Sequence, residues 1–439
     1  MKIAVIGGGV AGMTAGHLLS KEHEVYLFEK NKVIGGHTAT VDVEVHGKAY
    51  AIDTGFIVFN DRTYPHFRAL MRELGVGWKD TEMSFSVQNP RTGLEYNGHS
   101  LWTLFAQRRN LLRPRFYRML RDIVRFNNAA KVAFQTRNQA DLDGVTLREF
   151  VAELKLGPDF SENYLYPMCA AIWSASLDEA AAFPLAFFLK FFMNHGLLNI
   201  SDRPQWHVIE GGSRSYIPAL TRRFSERIVL DANIAHVTRQ PDHVVIEFAD
   251  GTQQTFDHIV FACHSDQALQ LLGDATDAER EILGGIPYQD NDVVLHTDIG
   301  QLPQRKAAWA SWNYLLPDTS KGGQRPATVT YNMNILQRLD AATPETFCVT
   351  LNNTAAIAPE RILGQFTYAH PVYSVASFQK RARRHEICGV ARTHFCGAYW
   401  YSGFHEDGVR SAVDVAHRFG IPGPDDAGSE ALNSQQAPQ

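Results

Sequence analysis

KIAVIGGGVAGMTAGHLLSKEHEVYLFEK, residues 2–30, holds five signals in one order. The apolar run Ile3, Ala4, Val5 and Ile6 has the continuous hydrophobicity of a strand buried on both faces of a parallel sheet. Gly7, Gly9 and Gly12 follow in G-x-G-x-x-G spacing around Val10 and Ala11, at the mouth of a helix carrying Met13, Leu18 and Leu19. In that spacing the first glycine permits a tight turn, the second lets backbone approach a pyrophosphate, and the third lets helix lie close on strand. A second apolar run, Val25, Tyr26, Leu27 and Phe28, leads to Glu29 and Lys30. Glu29 lies about 20 residues beyond the glycines, where a carboxylate accepts hydrogen bonds from a ribose. Strand, glycine turn, helix, strand and acid in sequence predict a dinucleotide-binding βαβ unit. A glycine triplet alone would equally suit an ordinary turn, and a βαβ unit without ligand is the competing reading.

The remaining composition sets bounds. With 439 residues, 45% hydrophobic and 20% charged, the chain reads as globular, with core for two or three domains. Its formal net charge of −5 gives no overall attraction to nucleic acid, so no nucleic-acid partner is expected. Cys169, Cys263, Cys348, Cys388 and Cys396 are scattered without a C-x-x-C pair, which points to a reducing compartment and no disulfide framework. The first strand starts at Lys2 and leaves no room for a signal peptide, so a cytoplasmic location is expected. The longest apolar stretch, residues 180–198, is interrupted by Lys190 and His195 and reads as a buried helix rather than a membrane span.

Further along, Gly35 and Gly36 form a second glycine pair, and Asp53, Thr54 and Gly55 close the next strand. Residues 227–261 alternate strand-like runs with turns; residues 392–412 give a short strand, Gly397, an aromatic run, and a helix opening at His405, Glu406, Asp407 and Gly408. Residues 81–204 read as mostly helical and 276–384 as mixed. The expected fold class is therefore α/β: a Rossmann-type domain assembled from residues 1–80, 205–275 and 385–420, with an interleaved α+β substrate domain from 81–204 and 276–384. Residues 421–439, rich in Pro, Asp, Gly, Ser and Gln, are expected to be a disordered tail.

These motifs together resemble the flavin-containing amine oxidase and phytoene desaturase superfamily, over nearly the whole chain to about residue 418. The resemblance implies FAD in a glutathione-reductase-like fold. Its contacts would be Gly7, Gly9, Val10, Ala11, Gly12, Glu29 and Lys30; Gly36, His37 and Thr38; Asp53, Thr54 and Gly55; Ile234; Gly397; and Asp407, Gly408 and Val409. The phrases DTGFIVFN, NHGLL, WASWNY and FCGAYWYSGFHEDGVRSA are similar to a bacterial group of amine-oxidase-like NAD/FAD-binding proteins. Genes of that group neighbour cyclopropane-fatty-acid-synthase-like methyltransferases, which implies a lipid or fatty acyl substrate. Two positions depart from the superfamily pattern: His37 stands where Arg is usual, and Ala398 where an acid often follows the glycine. Tyr399, Trp400 and Tyr401 include no cysteine for covalent attachment, so the flavin is expected to be noncovalent.

For chemistry, the helix opening at Asp407, Gly408 and Val409 would aim backbone N–H groups at flavin N1 and O2, Val409 being the expected donor. The simpler alternative is a helix start capped by Glu406 or Asp407. Tyr399 to Tyr401, with Trp309, Trp312 and Tyr314, would wall a substrate cavity or belong to plain core. Asn194, His195 and His370 are polar residues in apolar surroundings, candidates for acid–base work or satisfied core groups. Only one dinucleotide fingerprint is present, which leaves oxygen, another acceptor, or a redox-neutral cycle. No metal-binding motif is seen and no metal is expected. The leading functional expectation is an oxidoreductase that desaturates or isomerises an unsaturated or methylated fatty acyl chain. A flavin amine oxidase for a small amine and a non-catalytic lipid-binding escort are the alternatives. Finally, residues 108–125 hold seven arginines, Arg108, Arg109, Arg113, Arg115, Arg118, Arg121 and Arg125, against one acid, Asp122. Interleaved with Leu111, Leu112, Phe116 and Tyr117 and preceded by Trp102, they read as a basic amphipathic helix for the inner membrane face, or as a solvated helix surface.

Overall fold

The computed structural model describes residues 1–142, 144–199, 202–316 and 328–424. Lys2–Ile6 is the middle strand of a five-stranded sheet ordered Ile228–Val229, Glu24–Phe28, Lys2–Ile6, His258–Phe261, Thr393–Phe395. All four pairings are parallel, and Val5 lies level with Leu27 on one side and Val260 on the other. The chain leaves the central strand first toward Glu24–Phe28 and only later returns to its other edge. A crevice therefore opens where Ile6 and Phe261 end, the place where open parallel sheets bind ligands. Ile3, Ala4, Val5, Val25 and Leu27 are fully buried, as strands covered on both faces must be. The helices Val10–Leu19 and His405–Arg418 pack against one another. A small antiparallel sheet, Ile234–Arg239, Val244–Phe248 and Gln253–Phe256, covers Tyr26 and Phe28 through ring contacts of Phe248 and Phe256 at 5.6–5.8 Å.

A second, seven-stranded sheet runs in the order Ile362–Pro371, Tyr288–His296, Cys348–Leu351, Thr328–Asn332, Trp312–Leu315, Phe85–Asn89, Leu94–Asn97. Its end at Phe85 to Leu316 shares a core with the helices Pro114–Thr136, Leu147–Glu153, Tyr166–Trp173 and Leu185–Asn194. Its other end packs Val293, Leu295 and Val349 against Tyr50 and Ile52 of the hairpin Thr40–Val45 and Lys48–Asp53.

Three elements differ from the sequence reading. Phe85–Asn89 and Leu94–Asn97 are strands inside a segment expected to be helical; they pair with each other as a local hairpin, and Phe85–Asn89 joins it to the distant Trp312–Leu315, a partner that local periodicity does not reveal. The apolar stretch 180–198 is two helices, Leu177–Ala181 and Leu185–Asn194, because Pro184 cannot continue a helix and instead starts the second one. The basic segment is likewise divided: Arg108–Leu112 is a short 3₁₀ turn, and the α-helix begins at Pro114. At the C-terminus Ile421 is buried in the main core, so the chain is still packed where the tail was expected to begin; residues 425–439 lie outside the described residues.

Candidate active site

The glycine loop joins Lys2–Ile6 to Val10–Leu19 and its three glycines do three different jobs. A Cβ on Gly7, at φ +109°, would stand 2.8 Å from the Ala262 carbonyl carbon, and one on Gly12 would stand 1.9 Å from Gly7 O. Both positions are closed by backbone. A Cβ on Gly9 meets nothing within 4 Å, so this glycine borders open space. Gly9 is also the N-cap of the helix, which has no side-chain cap and no acid in its first turn. The leading N–H groups therefore point uncapped into the opening, as an anionic phosphate requires. Glu29 closes the other side: its Oε2 accepts the Gly8 N–H at 2.8 Å, and Oε1 accepts the N–H and Nδ2 of Asn31 at 2.9 and 2.7 Å. Three of its roughly four lone-pair sites are used, and one remains for a ribose hydroxyl.

The second glycine pair meets the first loop directly, since a Cβ on Gly36 would stand 3.2 Å from the Gly9 Cα. Beneath it, Thr38 Oγ1, Tyr216 Oη and His405 Nε2 form a buried triangle with sides of 2.5, 3.0 and 3.0 Å. His405 is sandwiched flat on Phe56 at 3.6 Å between ring centroids. Asp53 plays a structural part: its Oδ1 accepts Thr40 Oγ1–H, Ser213 N–H and Ser213 Oγ–H at 2.6, 2.8 and 3.0 Å. That locks the Gly211–Gly212 turn, and burial raises the Asp53 carboxyl to about 6. In the segment His405 to Val409 the two acids separate. Asp407 caps its own helix by accepting the Phe404 N–H at 2.9 Å, while burial pushes it up to about 7. Glu406 reaches across to accept the N–H groups of His66 and Phe67 at 3.0 and 2.8 Å, capping Pro65–Leu74, and His66 Nδ1–H at 2.7 Å.

One cavity of about 1050 Å³ runs from this loop into the interior. Its first part is lined by Gly7, Gly9, Val10, Ala11, Glu29, Lys30 and Ile234, its middle by Gly36, His37, Thr54, Gly55, Gly397, Tyr399 and His370. Its far part is an apolar chamber of Met168, Ile172, Trp173, Phe191 and Leu197 from the helical layer, with Phe85, Trp312 and Tyr331 from the seven-stranded sheet. His195 lines this chamber.

Among the described residues five histidines line the cavity: His405, held in the triangle with Thr38 and Tyr216, and His37, His264, His370 and His195. His37 lies with ring centroids 5.1, 5.3 and 6.2 Å from those of Tyr368, His370 and His264, and burial brings its pKa down to about 4. His264 stacks on Tyr288 at 4.4 Å and is lowered to about 4 by the same cause. His370 is lowered to about 3, by burial first and the neighbouring His37 second. Its tautomer is set by a relay. The Asp292 N–H donates to Asn352 Oδ1 at 3.1 Å, which turns Asn352 Nδ2 toward Asn291 Oδ1 at 2.9 Å. Asn291 Nδ2 then donates to Gln289 O at 3.2 Å and to His370 Nδ1 at 3.1 Å. With Nδ1 accepting, the His370 proton resides on Nε2. His195 is the opposite case: Nδ1 lies 2.9 Å from Phe191 O, which can only accept, so Nδ1 carries the proton and Nε2 keeps a lone pair. Burial lowers His195 to about 4, and it too is neutral at pH 7. Of these neutral histidines, two have their tautomer fixed by a partner: His370 as a donor through Nε2 and His195 as an acceptor through Nε2.

Several expected site residues lie elsewhere. Asn194 is exposed and outside the cavity, one helical position from His195 but on another face. Trp400 is buried with the Arg384 guanidinium 5.4 Å above its ring, and does not line the cavity. Gly12, Thr38, Asp53, Asp407, Gly408 and Val409 stand behind the cavity wall; a Cβ on Gly408 would stand 2.7 Å from Val10 Cγ1. Of the proposed aromatic wall, Trp312 lines the cavity, Tyr314 is core, and Trp309 donates its Nε1–H to Pro303 O at 2.7 Å. The sequence reading missed Tyr288, His264, Tyr368 and the two asparagines of the relay, which carry no motif. Among the described residues no group of three His, Cys, Asp or Glu side chains is placed to hold a metal ion, and the five cysteines are free.

The uncapped loop, the ribose-facing carboxylate and the switch-point crevice define a doubly wound dinucleotide-binding protein. The profile of the flavin containing amine oxidoreductase family matches residues 10–294, and the chain belongs to that family. It is an FAD-dependent oxidoreductase, and the non-catalytic escort reading falls away. The open space at Gly9, the free acceptor site on Glu29 and the long cavity beyond fit the cofactor. A carotenoid phi-ring synthase from Streptomyces griseus is 26% identical over 215 residues, 45% of this chain but only 40% of that protein. An uncharacterized protein of Methanocaldococcus jannaschii is 46% identical over 44 residues, 10% of this chain and 11% of that one. Among solved structures, a CLA-producing fatty acid isomerase from P. acnes superposes with a TM-score of 0.68 at 17% identity, covering 95% of this chain and 98% of the other. A cyclohexylamine oxidase from Brevibacterium oxydans does so with a TM-score of 0.66 at 15% identity, covering 95% and 99%.

Proposed function

We propose that this enzyme desaturates or isomerises an unsaturated or methylated fatty acyl chain of a lipid. The observation that carries the reading is the chamber of Met168, Ile172, Trp173, Phe191 and Leu197, which is apolar and continuous with the cofactor crevice. Among the described residues four charged side chains line the cavity: Glu29 and Lys30 belong to the nucleotide end, and Asp290 and Arg203 are both exposed, while Glu29 is engaged by the glycine loop. Among the described residues a protonated small amine would find no buried carboxylate in the chamber to offset its desolvation. An alkyl chain needs none. The names of two similar proteins, a fatty acid isomerase and a carotenoid ring synthase, support a lipid substrate class.

When bound, FAD supplies hydride acceptance from an activated C–H bond. The side chains of this protein do the rest. The apolar walls of the chamber would hold the chain beside the cofactor crevice, which lowers the entropy cost of reaching a productive geometry. His370 holds its proton at Nε2 at the cofactor end of the cavity and serves as a fixed donor rather than a base. His195 offers its Nε2 lone pair inside the chamber to a polar group of the substrate.

The test is an anaerobic titration of the FAD-loaded protein with unsaturated phospholipids, free unsaturated fatty acids and a panel of amines. Lipid products are analysed by mass spectrometry and NMR, because isomerisation can leave the flavin spectrum unchanged. Conversion of an acyl chain with inert amines is expected. Peroxide release with an amine and unchanged lipids would overturn the proposal.

A further inference from the structure

The face built from residues 101–125 presents apolar and basic side chains together. Leu101, Trp102 and Leu112 are 78, 74 and 88% exposed. Two short elements hold them there. Leu101–Leu104 is pinned by a capping box in which Ser100 and Thr103 each accept the other's N–H, and Arg108–Leu112 is tied down by the Arg109 guanidinium donating to Gly93 O. Phe105 joins the two to the following helix through ring contacts with Phe116 and Tyr117 at 5.6 and 6.1 Å. Large apolar side chains fixed in water mark a contact surface.

The charges say what kind. Arg115 pairs with Asp159, and Arg121 and Arg125 share the buried Asp122. Among the described residues Arg108, Arg113 and Arg118 pair with no acid, and the turn Lys306–Ala308, with its lysine, packs beside Leu101–Leu104. On the helix Pro114–Thr136 the buried stripe is Phe116, Met119, Phe126, Ala130 and Ala133, and Arg118 and Arg121 flank Tyr117 on the opposite side. Arginines ringing an aromatic and aliphatic tip match a lipid interface, where the stems lie along acyl carbons and the guanidinium groups reach phosphate.

We propose that this face docks on the surface of an anionic phospholipid bilayer, with Trp102 and Leu112 entering the interface and Arg108, Arg113 and Arg118 meeting lipid phosphates. The inference stands on its own observations and holds whatever the cavity takes. It also gives the cavity a short route to the membrane. Tyr96 and Gly98 line the cavity, Leu101 follows Gly98 by three residues, at most about 11 Å of chain, and the Tyr96 ring contacts Phe116 at 5.9 Å.

The experiment is co-sedimentation of the FAD-loaded protein with vesicles of phosphatidylcholine alone or mixed with phosphatidylglycerol, at low and high salt. Binding is expected only with phosphatidylglycerol, weakened by salt, and reduced about 100-fold by Arg108→Glu/Arg113→Glu/Arg118→Glu, at about a tenfold loss for each 1.4 kcal/mol. Trp102→Ser/Leu112→Ser is expected to abolish it while keeping the flavin spectrum. Equal binding to both vesicle types, or salt-insensitive binding by the unsubstituted protein, would overturn the proposal without reference to any variant's folding. So would a soluble dimer that Leu112→Ser dissolves and that ignores vesicles, which would assign the face to a second copy of the chain.

Discussion

Replacing Gly9 by Ala separates the folding role of the glycine loop from its ligand role. Gly9 has φ −75° and ψ −178°, extended backbone open to any residue, and its new methyl group would meet no protein atom within 4 Å. Two opposing effects act on the apoprotein: Ala is a poorer N-cap than Gly by about 0.5–1 kcal/mol, and the loss of glycine's freedom in the unfolded chain returns about 0.4–1 kcal/mol. The unfolding midpoint should therefore barely move. The methyl group does fill the space through which a pyrophosphate would approach the helix N–H groups. Losing one charge-assisted hydrogen bond costs about 1.5–3 kcal/mol, which weakens FAD binding about 10- to 150-fold. Gly12→Ala provides the contrast, because its Cβ would sit 1.9 Å from Gly7 O. The helix must shift off the strand, at a cost on the order of 3 kcal/mol to the apoprotein itself. The assay strips flavin, records chemical denaturation, then titrates FAD while following flavin fluorescence. FAD binding by Gly9→Ala within about threefold of the unsubstituted chain, or an apoprotein as destabilised as Gly12→Ala, would refute this division of labour.

Acidification should destabilise the protein below pH 6.5: His37, His195, His264 and His296 are held down to about 4 and His370 and His394 to about 3, all chiefly by burial. The unfolded chain binds protons at these sites first, so stability present above pH 6.5 is lost as pH falls toward 4; Asp53 and Asp407, raised by burial to about 6 and about 7, oppose this with fewer groups. A net uptake of only two protons on unfolding gives a slope of about 2.7 kcal/mol per pH unit, and denaturation curves with a flat midpoint from pH 6.5 to 5 would contradict it. Asn291→Asp replaces the amide donor facing His370 Nδ1 by an acceptor, so the proton should move to Nδ1 and the pKa of His370 should rise; ¹⁵N spectra of histidine-labelled apoprotein read both directly, and an unchanged Nε2–H signature would disprove the relay. Ile172→Trp adds bulk to the chamber wall and should exclude long acyl chains, at least about tenfold in kcat/KM, while the flavin spectrum and FAD affinity stay fixed; unchanged turnover of long chains would place the substrate elsewhere.

The cofactor domain was legible because its signals are local and backbone-driven. Gly12 is required by the carbonyl of Gly7 in the same strand–turn–helix unit, and Glu29 hydrogen-bonds Gly8 at a separation of 21 residues, whereas the space at Gly7 is closed by the distant Ala262 and its glycine is signalled only by its left-handed turn. The helix opening at His405 was also readable, yet the duties of its acids were not. Asp407 caps that helix, as local capping preference suggests, whereas Glu406 serves a helix 340 residues earlier in the chain. The strands Phe85–Asn89 and Leu94–Asn97 differ: they pair with each other in a local hairpin with Pro90 and Gly93 in its turn, a signal present in the segment itself, and only their place in the sheet depends on the distant Trp312–Leu315.

The chemistry of the site lies still further from the sequence, because a histidine's function depends on which nitrogen bears the proton, and that is decided by its partner's partner. His195 and His370 look alike as isolated polar residues among apolar ones. A carbonyl four residues away makes His195 an acceptor toward the cavity. An asparagine 79 residues away, itself oriented by Asn352 and the backbone of Asp292, makes His370 a donor. Neither can act as a strong base at neutral pH, since burial keeps the protonated form of each inaccessible. A reaction that began by removing a proton from a poorly acidic group would find no suitable acceptor in the chamber. In the proposed reaction hydride loss from an activated carbon comes first and needs none. For desaturation the electron-poor centre left behind makes the adjacent proton strongly acidic, so that the weakly basic Nε2 of His195 suffices to take it, and for isomerisation the hydride is returned at another carbon.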